Sequence, residues 1–314
     1  MNRKCRIFAL LLAAPLLAGC GNNVKAPKFA KYGDEKKADA CINAASKALN
    51  KSTLYQDKAL PSFEAKLKSK VFEEGKKMRN NKEYNTSHYF SEDQETMKYS
   101  KDDMLFEHIL KENEKTVYAN ADGEEVINKE DNNDLIYQYD KVGKKNYIVE
   151  ANVKAKEYVG LTEVEDKKAA KEAFDIFAKM RAENLLNGVY EIFSSYEGSD
   201  DEAKESYKFY QNENTYTVEV DYEDEGQNKD GGKTYCEYKY NWKWIVQLTL
   251  RDNGFDVKVY DEEIETYEYV MKKGEFIKGD VYNWSYYSSF EGSLNYKDVK
   301  IQRADLSQYT PLFF

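Results

Sequence analysis

A chain of 314 residues with 57 acidic and 47 basic side chains carries a net charge of −10. That balance argues against a nucleic-acid partner and against a polybasic grip on anionic lipid. Hydrophobic residues make up 41% of the chain, which allows a sizeable core and excludes wholesale disorder.

The first segment predicts export. Met1–Arg6 is short and basic, and Ile7–Ala18 is an apolar run of 12 residues broken only by Pro15. This is the length of a signal-peptide hydrophobic region, well short of the roughly 20 residues that span a bilayer. The tetrapeptide Leu17-Ala18-Gly19-Cys20 resembles the lipobox of bacterial lipoproteins. The resemblance implies a signal peptide over 1–19, a diacylglycerol on the Cys20 sulfur and cleavage just before it. Two acyl chains hold a protein stably on a membrane, so the expected location is the outer face of the cell membrane. Residues 20–33 are small, polar and unpatterned, and read as a tether. Residues 34–314 then form the extracytoplasmic domain, either whole or as two halves, 34–160 and 161–314.

Along that domain, Asp34 is placed to cap a helix with its apolar stripe at Ala38, Cys41, Ile42, Ala45 and Leu49. From Phe63 to Val71 the period changes to two, the mark of a half-buried strand. Further strands fit 84–90, 104–110, 116–120, 125–128, 135–139 and 147–153, with turns at Ala121-Asp122-Gly123 and Val142-Gly143-Lys144. Thr162 and Glu165 have capping-box spacing before a helical stripe from Ala170 to Tyr196, which Asn187-Gly188 divides.

The clearest strand signal follows. Cys236, Tyr238, Tyr240, Trp242, Trp244, Val246, Leu248 and Leu250 alternate with mostly polar residues. Asn253-Gly254 then signals a hairpin into Phe255, Val257 and Val259, with later strands over 264–271 and 279–287 and a turn at Lys273-Gly274. Tyrosine is abundant, at 27 residues, and aromatic enrichment favours strands. The expected class is α+β: a curved, half-barrel-like antiparallel sheet with an N-terminal helix and a central helical segment on one face. Lipobox, tether, N-terminal helix and long amphipathic strands together resemble the LolA/LppX/LprG class of lipid-handling lipoproteins. That resemblance implies a half-barrel sheet and a lipid cargo.

No constellation predicts chemistry. His88 and His108 lie in strand-like sequence without a nucleophile elbow, and the acids alternate with apolar residues as solvated strand faces do. Two histidines and the mature cysteines are too few for a structural zinc site, and no cofactor is expected. The acidic stretch Asp221–Gly232 lacks calcium-loop spacing and reads as a flexible hairpin loop. Cys41 and Cys236 fit either a disulfide or two buried free thiols. The row Tyr238, Tyr240, Trp242 and Trp244 fits either core beneath a helix or the aromatic wall of a ligand groove. Two functions follow: a non-enzymatic binder of an apolar or amphiphilic ligand, or a surface protein contacting glycan or protein through tyrosine-rich faces. A cavity of at least ~300 Å³ between sheet and helices belongs to the first.

Overall fold

The computed structural model describes residues 24–56, 58–80, 82–120, 123–186, 189, 205–230, 233–269 and 279–311. The signal segment, Cys20, the Asn187-Gly188 break, the Lys273-Gly274 turn and part of the Ala121–Gly123 turn lie outside these residues.

Among the described residues, thirteen strands form one sheet. In chain order they are β1 (Asp34–Lys36), β2 (Phe63–Arg79), β3 (Lys82–Ser100), β4 (Leu105–Asn120), β5 (Gly123–Val142), β6 (Lys145–Asn152), β7 (Glu157–Val164), β8 (Glu205–Asn212), β9 (Thr215–Asp230), β10 (Lys233–Arg251), β11 (Gly254–Tyr269), β12 (Asp280–Tyr296) and β13 (Thr310–Pro311). Helix α1 (Ala38–Lys51) precedes β2, and α2 (Lys167–Asn184) sits between β7 and β8. The spatial order is β1-β8-β9-β10-β11-β12-β2-β3-β4-β5-β6-β7-β13. Every pairing is antiparallel except the two-residue β13 beside β7. The expected α+β class with an open, curved antiparallel sheet is the observed one.

The two halves of the sequence interlock. β1 pairs with β8 and β12 with β2, so strands from before and after residue 160 share one sheet.

Both helices lie on one face. α1 places Cys41, Ile42, Ala45 and Leu49 against the sheet, and α2 places Ala170, Phe174, Ala178 and Ala182 there. They meet one end of the long strands, at Phe63, Ala65, Met97, Tyr99, Phe106, Val246, Leu248, Phe255 and Leu294. Each such large side chain stabilises the fold by roughly 1.5–3 kcal/mol on burial. Phe177 of α2 stands edge-on to Phe106 at 4.9 Å, and the Tyr99 hydroxyl donates to Asp175.

Several local expectations are corrected. Asp34 is in β1 rather than capping α1, whose N-cap Lys37 makes no side-chain cap bond. α2 is capped by Asp166, whose carboxylate accepts from the Ala169 N–H, while Thr162 remains in β7. The hairpin after β10 turns on Asp252 and Asn253, one residue earlier than expected, because Gly254 already pairs with Arg251. Its φ of +145° and the approach of the Leu294 carbonyl leave no room for a Cβ. The stretch read as a flexible loop after Asp221 is strand to Asp230.

The face opposite the helices is covered at two places by chain ends. Residues 24–33 do not stand off as a tether: Val24 and Pro27 are buried. The Gln247 side chain holds Ala30 by both N–H (2.7 Å) and carbonyl (3.1 Å). On the other flank, Gln138 makes the same pair of bonds to Ala304, beside a small cluster of Leu105, Ile136, Val149, Ala151 and Ile301.

Candidate functional site

The strands outrun the helices. Register carries β9 to β12, β2 and β3 past the core into an outer half whose residues are mostly half-buried on both faces. There side chains of adjacent strands cover one another, as Lys77 of β2 does with its register partner Tyr282 of β12.

On the helix side of this outer half, β10 carries Trp244, Trp242, Tyr240 and Tyr238 in one row. Directly opposite on β11 stand Asp261, Glu263, Glu265 and Tyr267. β12 follows with Ser288, Tyr286, Trp284 and Tyr282. A row of three carboxylates therefore runs between two aromatic rows. All three tryptophans of the chain are in those rows.

The rows are tied together. The indole N–H of Trp242 donates to Asp261 at 2.7 Å, and the Tyr240 hydroxyl donates to Glu263 at 2.9 Å. Trp284 donates to Glu73 on β2 at 2.9 Å, and Tyr238 to Asp224 on β9 at 3.1 Å. Trp242 and Trp244 stack with centroids 6.1 Å apart, as do Trp284 and Tyr286 at 6.0 Å. Gly226 on β9 lies beneath the Tyr238 ring, which occupies the space a Cβ would need.

Electrostatics follow from that arrangement. Burial, then the charge of Glu263, pushes the Tyr240 phenol up. Burial and Glu265 do the same to Tyr267. Tyr269 is pushed up to about 12, chiefly by burial. Lys77 of β2 sits 5.7 Å from the Tyr282 ring centroid, so one aromatic of this surface already takes a cation.

The four residues singled out from the sequence share this face, and their two readings divide along the row. Trp242 and Trp244 pack against the rim of the core. Tyr238 and Tyr240 lie farther out and half-buried. Sequence reasoning missed the rest of the site, although Tyr282, Trp284 and Tyr286 repeat with the same two-residue period. Cys41 and Cys236 are both free thiols. Cys41 donates to the Tyr210 carbonyl, whose register partner Thr217 lies beside Gln247 on β10, eleven residues from Cys236. At ~3.3 Å per residue that spacing rules out a disulfide.

The interface under the helices, where a ligand cavity was expected, is occupied by fully buried Phe63, Tyr99, Phe106, Phe174 and Leu49. Among the described residues, one groove of about 510 Å³ lies at the far ends of β9, β10 and β11, lined by Glu225, Gln227, Glu237, Tyr238, Lys239 and Glu268. Among the described residues, no helix is long and apolar enough to cross a membrane. No family model matches the chain, and no curated protein sequence matches it.

Proposed function

We propose that this chain is a lipid-anchored, extracytoplasmic binding protein without catalytic activity, attached through a diacylglycerol on Cys20. It engages glycan or protein with the outer half of its helix-side face. One observation carries the choice over a carrier of buried lipid: the helix–sheet interface is filled by side chains, while the aromatic rows lie beyond it. An aromatic surface suits recognition because Tyr and Trp give large contact area at low entropic cost.

Two measurements test the reading. Cys20→Ala should move the protein from the detergent phase to the aqueous phase; unchanged partitioning overturns the anchor. Native mass spectrometry of the detergent-released protein should find the bare chain. A stoichiometric co-purified amphiphile would return the case to the lipid carrier.

A further inference from the structure

We infer that the face opposite the helices rests on the membrane, with its central lysines set against the phosphates of anionic phospholipids. This depends on the anchor at Cys20 and adds which way the domain lies on the bilayer. Position comes first. The N-terminal segment reaches β10 and β11 on one flank of this face, where Gln247 holds Ala30 and Lys258 donates to the Lys28 carbonyl. The C-terminal segment reaches β5 on the other flank, where Gln138 holds Ala304. β12, β2, β3 and β4 run between the two. Along β2, Lys66, Lys68 and Lys70 alternate with the helix-side residues Ala65, Leu67 and Ser69, so all three lysines stand on this strip. Lys66 and Lys68 are exposed.

Charge then selects the occupant. Lys68 and Lys70 share one carboxylate, Glu92, at 2.9 and 3.2 Å. Lys66 and Lys297 share another, Glu64, at 3.7 and 2.5 Å. Glu291 is matched by Lys258 at 3.6 Å, and Glu107 by Lys98. On β4 the exposed Lys111 stands between Gln94 and Asn132, neither of them acidic. One charge at each shared carboxylate and one at Lys111 leave the strip an excess of three positive charges. The acids Asp134 and Glu130 belong to β5, on the flank beyond Lys111. The net charge of −10 speaks against a lipid-binding face only where charge is spread evenly, and Asp261, Glu263 and Glu265 are on the helix side. The anchor favours a bilayer over a soluble polyanion. Residues 21–23 are the whole spacer between Cys20 and buried Val24, so the lipid is held close to the segment that borders this strip. At such an effective concentration a few weak lysine–phosphate contacts suffice.

The test is lysine acetylation of the full lipoprotein in two kinds of nanodisc, read residue by residue by mass spectrometry. One disc is phosphatidylcholine; the other mixes phosphatidylcholine with phosphatidylglycerol. Lys66, Lys68 and Lys111 should react about fivefold more slowly in the mixed disc, the factor for one lysine held at an anionic surface. High salt should remove the difference. Lys168 of α2, with its side chain 85% exposed on the helix side, should react alike in both discs. The variant Lys66→Gln with Lys68→Gln should lose the protection of Lys111 while Lys168 stays as in the wild type. Equal rates for Lys66, Lys68 and Lys111 in the two discs overturn the inference, whether the strip is open in both or covered in both by a second copy. Equal rates in protein that has entered the discs leave the anchor standing. Protein that enters neither disc removes the anchor reading together with the inference.

Discussion

The carboxamide of Gln247 satisfies the backbone N–H and the carbonyl of Ala30 at once, at 2.7 and 3.1 Å. Gln247 is 2% exposed and also donates to Thr217, so its side chain has no water to fall back on. Gln247→Ala removes both Ala30 bonds and the donor to fully buried Thr217, and should cost about 1–3 kcal/mol. It should also release residues 24–31, opening Lys28 and Lys31 to trypsin. The check is a urea unfolding curve with a proteolysis time course; wild-type behaviour in both would refute the clamp. Gln138→Ala should do the same to the segment around Arg303.

Two glycines in hairpins should respond differently to alanine. At Gly254 a Cβ meets the Leu294 carbonyl oxygen at 1.8 Å and φ is +145°. At Gly143 φ is +63° and nothing lies within 4 Å. Gly143→Ala should therefore cost about 1 kcal/mol of backbone strain. Gly254→Ala should cost clearly more, because the β11–β12 ladder must shift as well. Similar unfolding midpoints for the two variants would contradict the tight approach at Gly254.

Alkaline pH should destabilise the protein through its phenols. An unfolded tyrosine ionises near pH ~10. In the folded chain burial holds Tyr269 up to about 12 and also raises Tyr240, Tyr267 and Tyr282. Between those limits the unfolded chain has lost protons that the folded chain keeps, so stability falls as pH rises. It is fully present below pH ~10. Ultraviolet titration should show a fraction of phenols that ionise only with unfolding, and a smooth titration of all tyrosines near pH ~10 would be the contrary result.

The two thiols should be slow to react. Burial pushes the Cys41 thiol up to about 11, and Cys236 is likewise raised by burial. Thiolate is the reactive species. With a thiol reagent near pH 8, a chain beginning at residue 21 should therefore react only after denaturation, then with two equivalents. Oxidant should leave its gel mobility unchanged under non-reducing conditions.

The sequence revealed strands wherever one of their faces meets the helices. The period-two run from Phe63 fades after Val71, yet β2 continues to Arg79. In sequence, β4 and β5 each look like two short strands because Lys111–Lys115 and Lys129–Asp134 show no apolar alternation. In both, the ladder runs unbroken through those residues. In the outer half neither face meets a core, so the periodic signal vanishes while the pairing continues. For the same reason the candidate site was half legible. Its β10 row joins a core stripe and stands out, whereas the β11 carboxylates look like any solvated strand face until register sets them between two aromatic rows.

The pinned N-terminal segment also decides how the molecule can stand. With acyl chains on Cys20, only residues 21–23 separate the anchor from buried Val24, a span of at most ~14 Å. The leash is short, and the segment that follows it lies at Lys28 and Ala30 on the face opposite the helices. On the proposed anchor, the aromatic–carboxylate rows, which lie on the helix side, would look away from the bilayer. A pull on such an anchor would load buried Val24 and Pro27, then the bonds of Lys258 to Lys28 and of Gln247 to Ala30, before it reached edge strand β1.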